Sequence, residues 1–188
     1  MKLSFRWYGA DDPVSLEYIS QIPGMRSVVS AVYDVKPGGV WSRESLAAIA
    51  EACRTHGLVF DVVESIPVHE DIKLGRPDAD SLIDNYCENI RRCAEVGVKC
   101  VTYNFMPVFD WTRTELDRVR EDGSTVMAYN QDAIDKMDPE KMFDAIKDDM
   151  NGTVMPGWEP ERMAKIKDLF ALYKGIDEDQ LFENLKYF

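Results

Sequence analysis

The sequence repeats one unit three times between residues 17 and 105, and this repetition constrains the fold more than any other feature. Each unit is a helix-like segment, a glycine, an apolar run and a polar or aromatic stop. Gly24, Gly57 and Gly97 stand where a helix C-cap favours a left-handed residue, and the run after each is typical of a strand buried on both faces. This alternation of helices and buried strands predicts an α/β fold with a parallel sheet and right-handed crossovers.

Together with the N-terminal LSFRWYG, the units predict four strands, near residues 3–8, 27–33, 58–64 and 100–105. Helix starts are predicted at Ser42, at Asp177 with Gln180 as a capping box, and at Asp12 and Asp138, each of which precedes a proline. Residues 107–138 predict a long polar and aromatic loop, which precedes helices near 139–149, 159–174 and 178–187 and no fifth strand. We therefore assign residues 1–106 to four strand–helix units and residues 107–188 to a loop and helical segment of the same domain.

The charge of the chain excludes several classes of partner. The 188 residues carry 34 acidic and 22 basic side chains, a net charge of −12, which repels phosphate backbones and anionic membrane surfaces. No apolar run approaches the roughly 20 residues that a membrane helix needs. We expect a cytoplasmic protein that binds neither nucleic acid nor membrane. The four cysteines lack paired CxxC spacing, so they are predicted to be structural thiols without a zinc motif.

Polar or aromatic residues end all four predicted strands, whereas three of the four strands begin with aliphatic residues. Ligands of parallel α/β folds bind at the carboxyl ends of the strands, so the pattern predicts one shared site. The residues at these ends are Arg6, Trp7, Tyr8, Tyr33, Asp34, Glu64, Ser65, His69, Tyr103 and Asn104, with Asp110 and Trp111 beyond the last strand.

Glu64 and His69 are the candidates for proton transfer. Because Glu64 ends a hydrophobic strand, we expect its carboxyl group to be partly desolvated. His69 follows in a loop, and histidine titrates near neutral pH. The alternative is that polar strand ends simply meet water and that Glu70, Asp71 and Lys73 form a solvated turn.

Several blocks of the sequence resemble a known family. FRWYG at residues 5–9, the run from IPG to Tyr33 and Asp34, VVESIPVHEDIKLG at 62–75 and YNFMPVFDWTRT at 103–114 are similar to the mannonate dehydratases, bacterial sugar-acid enzymes of glucuronate breakdown. The likeness extends from residue 3 to about residue 114 in long blocks, and more weakly through the helical tail.

The resemblance implies a TIM-type barrel, of which this chain supplies about four of eight strands, since a full barrel takes about 250 residues. It implies a hydro-lyase that converts D-mannonate to 2-dehydro-3-deoxy-D-gluconate and water with a divalent metal, Mn²⁺ or Fe²⁺. In the family, the His, Cys and Asp ligands of the metal follow a segment like LFENLKYF, where this chain stops. We therefore assign no metal ligand within the chain and expect the 188 residues alone to be inactive.

The resemblance and the side-chain chemistry together suggest roles in this reaction. Glu64 and His69 would transfer protons or position a hydroxyl group, and which of them is the general base stays open. Arg6 would bind the substrate carboxylate through its forked guanidinium. The remaining candidates are Tyr8, Tyr103 and Asn104 for the sugar hydroxyls, and Trp7 and Trp111 for the wall of the site.

Two other functions fit the same pattern. A metal-dependent sugar isomerase or epimerase of the xylose-isomerase-like barrel type would share the fold. A non-catalytic half-barrel would also fit, because four strands leave two sheet edges that invite pairing. A third explanation, of the length only, is that the chain is a piece of a longer protein. We expect D-mannonate as the ligand and a homo-oligomeric assembly.

Overall fold

The computed structural model describes residues 2–108, 113–136, 168–169 and 171–188. Two compact units divide the chain, residues 1–105 with 175–188 and residues 106–174. The elements of the first unit are β1 (Leu3–Arg6), α1 (Leu16–Ser20), β2 (Met25–Ser30), α2 (Arg43–Thr55), β3 (Val59–Val63), α3 (Glu70–Lys73), α4 (Ala79–Glu95), β4 (Cys100–Val101) and, after the second unit, α6 (Glu178–Tyr187). Those of the second unit are β5 (Glu115–Val119), β6 (Thr125–Ala128) and α5 (Gln131–Asp135).

The first unit is built on a parallel sheet with the strand order β1-β2-β3-β4. Phe5 pairs with Val28, Val28 with Phe60, and Val62 with Cys100. Four parallel strands in chain order, with helices between them, confirm the predicted α/β class and are consistent with part of a TIM-type barrel.

The strands are shorter than predicted, above all the fourth, which ends at Val101 and not near 105. The Thr102 amide donates to the Val63 carbonyl at 2.9 Å, and Tyr103 and Asn104 lie outside the ladder. β1 likewise ends at Arg6 and β2 at Ser30. An apolar run predicts a strand but not where its backbone hydrogen bonds end, because that depends on the neighbouring strand.

The core lies between the sheet and the helices that cover it. Ile19 of α1, Val28 of β2, Leu46 of α2 and Val63 of β3 are fully buried. Burying a side chain of this kind contributes about 1.5–3 kcal/mol. None of the described helices is long and apolar enough to cross a bilayer.

The segment after β2 is fastened to α4 by polar side chains. Asn89 accepts a hydrogen bond from the Trp41 amide at 2.8 Å and donates to the Gly39 carbonyl at 2.9 Å, while Arg92 donates to the Trp41 carbonyl at 2.6 Å. Asn89 is buried, and these bonds satisfy both ends of its amide. The backbone of the fully buried Trp41 is thereby held to α4.

The structure confirms several of the predicted helix starts and ends. Gly57 and Gly97 have φ angles of +70° and +92°, as their left-handed role at a helix end requires. The prediction is wrong for Gly24, because α1 already ends at Ser20 and Gly24, at φ +79°, lies in the turn before β2. Ser42 caps α2 by accepting from the Ser45 amide at 2.9 Å, and Asp177 caps α6 by accepting from the Gln180 amide at 2.8 Å. Both N-caps were predicted. The predicted start at 138–139 and the helix near 139–149 lie outside the described residues, as does most of the helix near 159–174.

The prediction of a helix start at Asp12 is wrong. α1 begins at Leu16, and Ser15 is its N-cap. The Asp12 carboxylate instead accepts from the amides of Tyr8 at 2.8 Å and Val14 at 2.9 Å. An aspartate holds such a turn as readily as it caps a helix, since both use its carboxylate as an acceptor for nearby amides.

The prediction of a long loop over residues 107–138, with no fifth strand after it, is also wrong where the structure describes that segment. β5 and β6 form an antiparallel hairpin, with Val119 opposite Thr125 and Arg118 opposite Val126. The signal that indicates it is Asp122-Gly123, a turn pair between two short alternating runs, with Gly123 at φ +81°. Asp122 holds the turn by accepting from the Ser124 amide at 3.0 Å.

α6 confirms the helix predicted at 178–187 and packs within the first unit. The Asn184 side chain donates to the Lys73 carbonyl at 2.8 Å, and the Tyr187 hydroxyl donates to Asp80 at 2.6 Å. The Phe188 ring meets Tyr86 edge-on with 4.9 Å between centroids. These contacts join the last residues of the chain to α3 and α4, more than 100 positions earlier.

Candidate functional site

The carboxyl edge of the parallel sheet brings Arg6 and Glu64 together. Arg6 is the last residue of β1 and Glu64 is the first residue after β3, so the two side chains meet across the end of β2, which lies between those strands. Arg6 Nη1 is 2.7 Å from Glu64 Oε2. The peptide bond between Glu64 and Ser65 is cis. This ion pair is the centre of the candidate site.

Two tyrosines extend the cluster around Arg6. The Arg6 guanidinium carbon lies 4.8 Å from the centre of the Tyr8 ring, within the range of a cation–π contact. The rings of Tyr8 and Tyr33 are 6.1 Å apart. Both tyrosines are about half-exposed, so a solute can reach their side chains. Tyr33 was noted at a strand end but was not among the predicted binding residues.

Buried hydrogen bonds hold the backbone beneath this cluster. The Ser30 hydroxyl donates to the Trp7 carbonyl at 2.7 Å, and the Tyr33 hydroxyl approaches the same oxygen at 3.4 Å. The Trp7 amide donates to the Val29 carbonyl at 2.9 Å, which continues the ladder one step beyond β1. Trp7 itself lies in the hydrophobic core. Trp7 therefore helps to fix the backbone on either side of it, from which the Arg6 and Tyr8 side chains extend.

The electrostatics of the cluster favour a permanent cation. Burial lowers the pKa of the Arg6 guanidinium, but the neighbouring Tyr33, together with Glu64 and Tyr8, raises that pKa above its ordinary value. Arg6 Nε is buried and has no hydrogen-bond acceptor among the residues that the structure describes. A buried donor of this kind favours an acceptor such as a carboxylate or hydroxyl oxygen.

The Glu64 side chain is more exposed than the end of a hydrophobic strand led us to expect. Its side chain is 54 % exposed, because the residue lies one position past β3, outside the packed sheet. Its nearest described partner is Arg6. The carboxylate is therefore accessible to a solute while its position is fixed by an ion pair.

His69 lies on a different element from Glu64, at the N-cap of α3. Its Nδ1 accepts from the Asp71 amide at 3.2 Å and lies 3.5 Å from the Asp71 carboxylate. A neutral imidazole whose Nδ1 accepts must carry its proton on Nε2, so His69 presents a donor there. The ring packs beside Gly38, where an added Cβ would lie 3.2 Å from His69 Cδ2. Among the residues that the structure describes, no hydrogen bond or ion pair joins His69 to Arg6 or Glu64.

The segment HEDIKLG is not the solvated turn that we considered. Residues 70–73 form α3, and the Lys73 side chain is only 4 % exposed. Lys73 Nζ lies 3.0 Å from Glu70 Oε1, and Glu70 is also largely buried. A buried lysine is tolerated when a carboxylate lies beside it.

The remaining predicted site residues are placed less favourably. Tyr103 is half-exposed and packs edge-on against Phe188 with 5.8 Å between centroids, and Asn104 is half-buried. Within the described part of the chain, no hydrogen bond or ring contact joins either of them to Arg6. Asp110 and Trp111 lie outside the described residues.

The described residues do not fit a metal site. No three His, Cys, Asp or Glu side chains among them lie close enough together to hold an ion. The candidate site offers a single carboxylate, Glu64, which is engaged by Arg6. A first-row metal needs several nitrogen, sulfur or oxygen donors, so no step is assigned to a metal held by these residues.

Comparison with known proteins decides the family. A sequence model described as D-mannonate dehydratase (UxuA) matches residues 1–188. The chain belongs to the D-mannonate dehydratase family. The resemblance carried by the four sequence blocks is thereby confirmed over the whole chain.

Relatives from several bacteria show the same family likeness. The mannonate dehydratases of Brachyspira hyodysenteriae and Geobacillus thermodenitrificans are each 49% identical over 189 residues, with 100% of this chain and 53% and 51% of their own lengths covered. The crystal structure of mannonate dehydratase from Streptococcus suis serotype 2 superposes with a TM-score of 0.82 at 42% identity, covering 100% of this chain and 48% of that one. The chain thus spans about half the length of these members of the D-mannonate dehydratase family.

Proposed function

We propose that this chain supplies the substrate-binding half of a hydro-lyase that converts D-mannonate to 2-dehydro-3-deoxy-D-gluconate and water. Membership of the D-mannonate dehydratase family supports the reaction class. The Arg6–Glu64 pair at the carboxyl edge of the parallel sheet is the observation that supports a site here. A cation and a carboxylate side by side suit a ligand that carries both an anionic group and hydroxyl groups.

Arg6 is proposed to bind the carboxylate of the sugar acid. The guanidinium has five N–H donors, of which the Glu64 contact uses Nη1. A carboxylate that binds through two oxygens needs two parallel donors, and the planar fork of arginine provides them. Tyr8 and Tyr33, which lie beside the guanidinium, are proposed to bond to sugar hydroxyls.

Glu64 and His69 are proposed to transfer protons. Elimination removes the proton at C2 and needs an acid for the departing C3 hydroxyl. Glu64, an exposed carboxylate beside the proposed binding cation, suits removal of a proton. His69, whose Nδ1 accepts from Asp71, suits donation from Nε2. Tyr103 and Asn104 stay proposed contacts to hydroxyl groups, and Trp111 stays a proposed part of the wall.

The divalent metal implied for the complete enzyme, Mn²⁺ or Fe²⁺, is proposed to bind through ligands outside these 188 residues. Such a cation would supply charge stabilisation for the substrate carboxylate. This proposal predicts that the chain alone does not dehydrate D-mannonate in the presence of Mn²⁺.

Substitutions in the complete enzyme test the proton roles. Glu64→Gln and His69→Asn are each expected to lower kcat by about 10² or more, because each removes a proton-transfer group but keeps a similar shape. Asp84→Asn, at an exposed position of α4, is the control that should leave kcat unchanged. A wild-type kcat for either of the first two variants, with metal still bound, removes that residue from the mechanism.

We also propose a homo-oligomer in the cytoplasm. The described residues give no partner strand to the outer edge of β1 or of β4, and such edges favour association. All four cysteines are free, which is typical of a reducing compartment.

A further inference from the structure

We propose that Ser30 is a positioning residue for the candidate site and that it sets the spacing between the Arg6 and Glu64 side chains. Ser30 is the last residue of β2, the strand between β1 and β3, and it is fully buried. A ligand cannot reach it, so it acts only through the backbone of its neighbours. The inference deepens the proposed function and rests on it, because the Arg6–Glu64 pair is the proposed binding site.

The Ser30 side chain holds the backbone that follows Arg6. β1 ends at Arg6, and one residue later the Trp7 carbonyl accepts a hydrogen bond from the Ser30 hydroxyl at 2.7 Å. The amide of the same peptide group, that of Tyr8, donates to the Asp12 carboxylate at 2.8 Å. A peptide group is planar, so hydrogen bonds at both of its ends fix its orientation. The Arg6 and Tyr8 side chains extend from the backbone on either side of Trp7.

The Ser30 carbonyl holds the backbone that carries Glu64. Val63, the last residue of β3, is the register partner of Ser30, and the amide of the next residue, Glu64, donates to the Ser30 carbonyl at 3.1 Å. Ser30 therefore makes one hydrogen bond just beyond the end of each neighbouring strand. A single buried residue joins the two backbone segments from which the ion pair extends.

The geometry of the ion pair depends on where these two segments lie. Arg6 Nη1 is 2.7 Å from Glu64 Oε2, although the two backbones lie on opposite sides of β2. Both side chains are partly exposed, so the surrounding packing restricts them less than it restricts the buried Ser30. A displacement of about 1 Å in a group that positions a substrate can lower a rate by about 10²-fold. The Ser30 hydrogen bonds are therefore expected to matter for a ligand that binds both side chains.

The Trp7 carbonyl has one weaker contact that does not involve Ser30. The Tyr33 hydroxyl lies 3.4 Å from the same oxygen, which is longer than an ordinary hydrogen bond between oxygen atoms. Without the Ser30 hydroxyl, the carbonyl would keep only that contact, and a poorly satisfied buried acceptor is unfavourable. The segment of Trp7 and Tyr8 is then expected to move towards another donor, and Arg6 is expected to move with it.

Ser27 offers a matched comparison in the same strand. It is 1% exposed and so nearly as buried as Ser30, but its hydroxyl has no hydrogen-bond partner among the residues that the structure describes. Ser27→Ala therefore removes a buried hydroxyl group from β2 without breaking a described hydrogen bond. A difference between Ser30→Ala and Ser27→Ala reports the bond to Trp7 and not the loss of a hydroxyl group as such.

NMR of the Glu64 carboxyl carbon in the 188-residue chain, without ligand, tests the proposal. The chemical shift of this carbon responds to the ion pair, and Arg6→Gln gives its value when the pair is absent. Ser30→Ala is expected to move the signal at least halfway towards that value. Ser30→Cys, whose thiol fills a similar space but is a weaker donor, is expected to move it less and in the same direction. Ser27→Ala should leave it unchanged. A loss of stability alone does not move the signal of the folded chain.

Titration of the same variants with D-mannonate connects the spacing to binding. The dissociation constant is expected to rise about tenfold in Ser30→Ala and to stay unchanged in Ser27→Ala. A carboxyl signal that neither Ser30 variant moves overturns the positioning role, and so does an unchanged dissociation constant in Ser30→Ala. If the signal moves as expected but the unaltered chain does not bind D-mannonate, the spacing role is supported and the proposed function alone is overturned.

Discussion

Two ion pairs flank the segment after β3, and they differ in exposure. The Arg6–Glu64 pair has side chains that are 27% and 54% exposed, whereas those of the Lys73–Glu70 pair are 4% and 17% exposed. The atoms that pair are 2.7 Å and 3.0 Å apart, so distance does not distinguish them. Accessibility does. A ligand can reach Arg6 and Glu64 and replace the contact between them. Lys73 and Glu70 are enclosed by packed elements.

The difference shows that a charged residue near a strand end is not by itself a site residue. Lys73 belongs to a corner in which α3, α4 and α6 meet, and its own carbonyl accepts from Asn184. Arg6 faces the open edge, with two half-exposed tyrosines beside it. The comparison predicts that substitutions in the enclosed pair act on stability and that substitutions in the open pair act on ligand binding.

The largest effect on stability is expected for Lys73→Met. Removing one partner of a buried ion pair costs about 3 kcal/mol or more, since the carboxylate 3.0 Å away loses that cation. Urea denaturation measures the free energy of unfolding. Arg6→Gln should lower it by no more than about 1 kcal/mol, because an exposed pair contributes little. Lys186→Met, which also removes a lysine three residues from a glutamate, is the exposed control. Equal losses for Lys73→Met and Lys186→Met would contradict the distinction.

The reactivity of the cysteines also tests the difference between enclosed and exposed positions. Burial raises the pKa of the Cys53 and Cys93 thiols to about 11, so the thiolate at pH 8 is about 10²-fold scarcer than for an ordinary cysteine. Cys100 is exposed at the start of β4. Mass spectrometry after iodoacetamide labelling should find Cys100 modified first. Modification of Cys53 at the rate of Cys100 would show that the core opens.

A smaller effect is expected for Gly38→Ala, at the position that packs on His69. Gly38 has φ +83°, and an added Cβ would lie 2.8 Å from Leu82 Cδ2 and 3.2 Å from the His69 ring. The backbone strain and the displaced neighbours together should lower the free energy of unfolding by about 2 kcal/mol. Gly24→Ala, at φ +79° with open space around it, isolates the backbone strain and should cost about 1 kcal/mol. The same loss in both variants would mean that His69 and Leu82 move aside freely.

Local patterns in the sequence predict much of this fold. Gly57 and Gly97 mark two helix ends because a left-handed residue is needed at each of them. Ser42 and Asp177 mark helix starts because their side chains accept amides three residues ahead. These features depend on neighbours within a few positions, which the sequence displays directly.

Contacts between residues that are far apart in the sequence are harder to predict. The Arg6–Glu64 pair depends on strand order and on where β1 and β3 end, and neither follows from local pattern. The burial of Lys73 depends on α6, more than 100 residues later. Tyr33 was visible as an aromatic strand end, but its place beside Tyr8 appears only when the two strands are paired. The hairpin was overlooked although Asp122-Gly123 signals its turn.

The central claim is that the open Arg6–Glu64 pair binds the carboxylate of a sugar acid, and titration of the 188-residue chain followed by amide NMR shifts tests it most directly. D-mannonate is expected to shift the amides of Trp7, Tyr8 and Glu64, and D-mannose, which lacks the carboxylate, is expected to leave them unchanged at the same concentration. Arg6→Gln should abolish the D-mannonate shifts. The claim is contradicted if D-mannonate shifts the amides around Lys73 and α6 instead, or if Arg6→Gln responds to it like the unaltered chain.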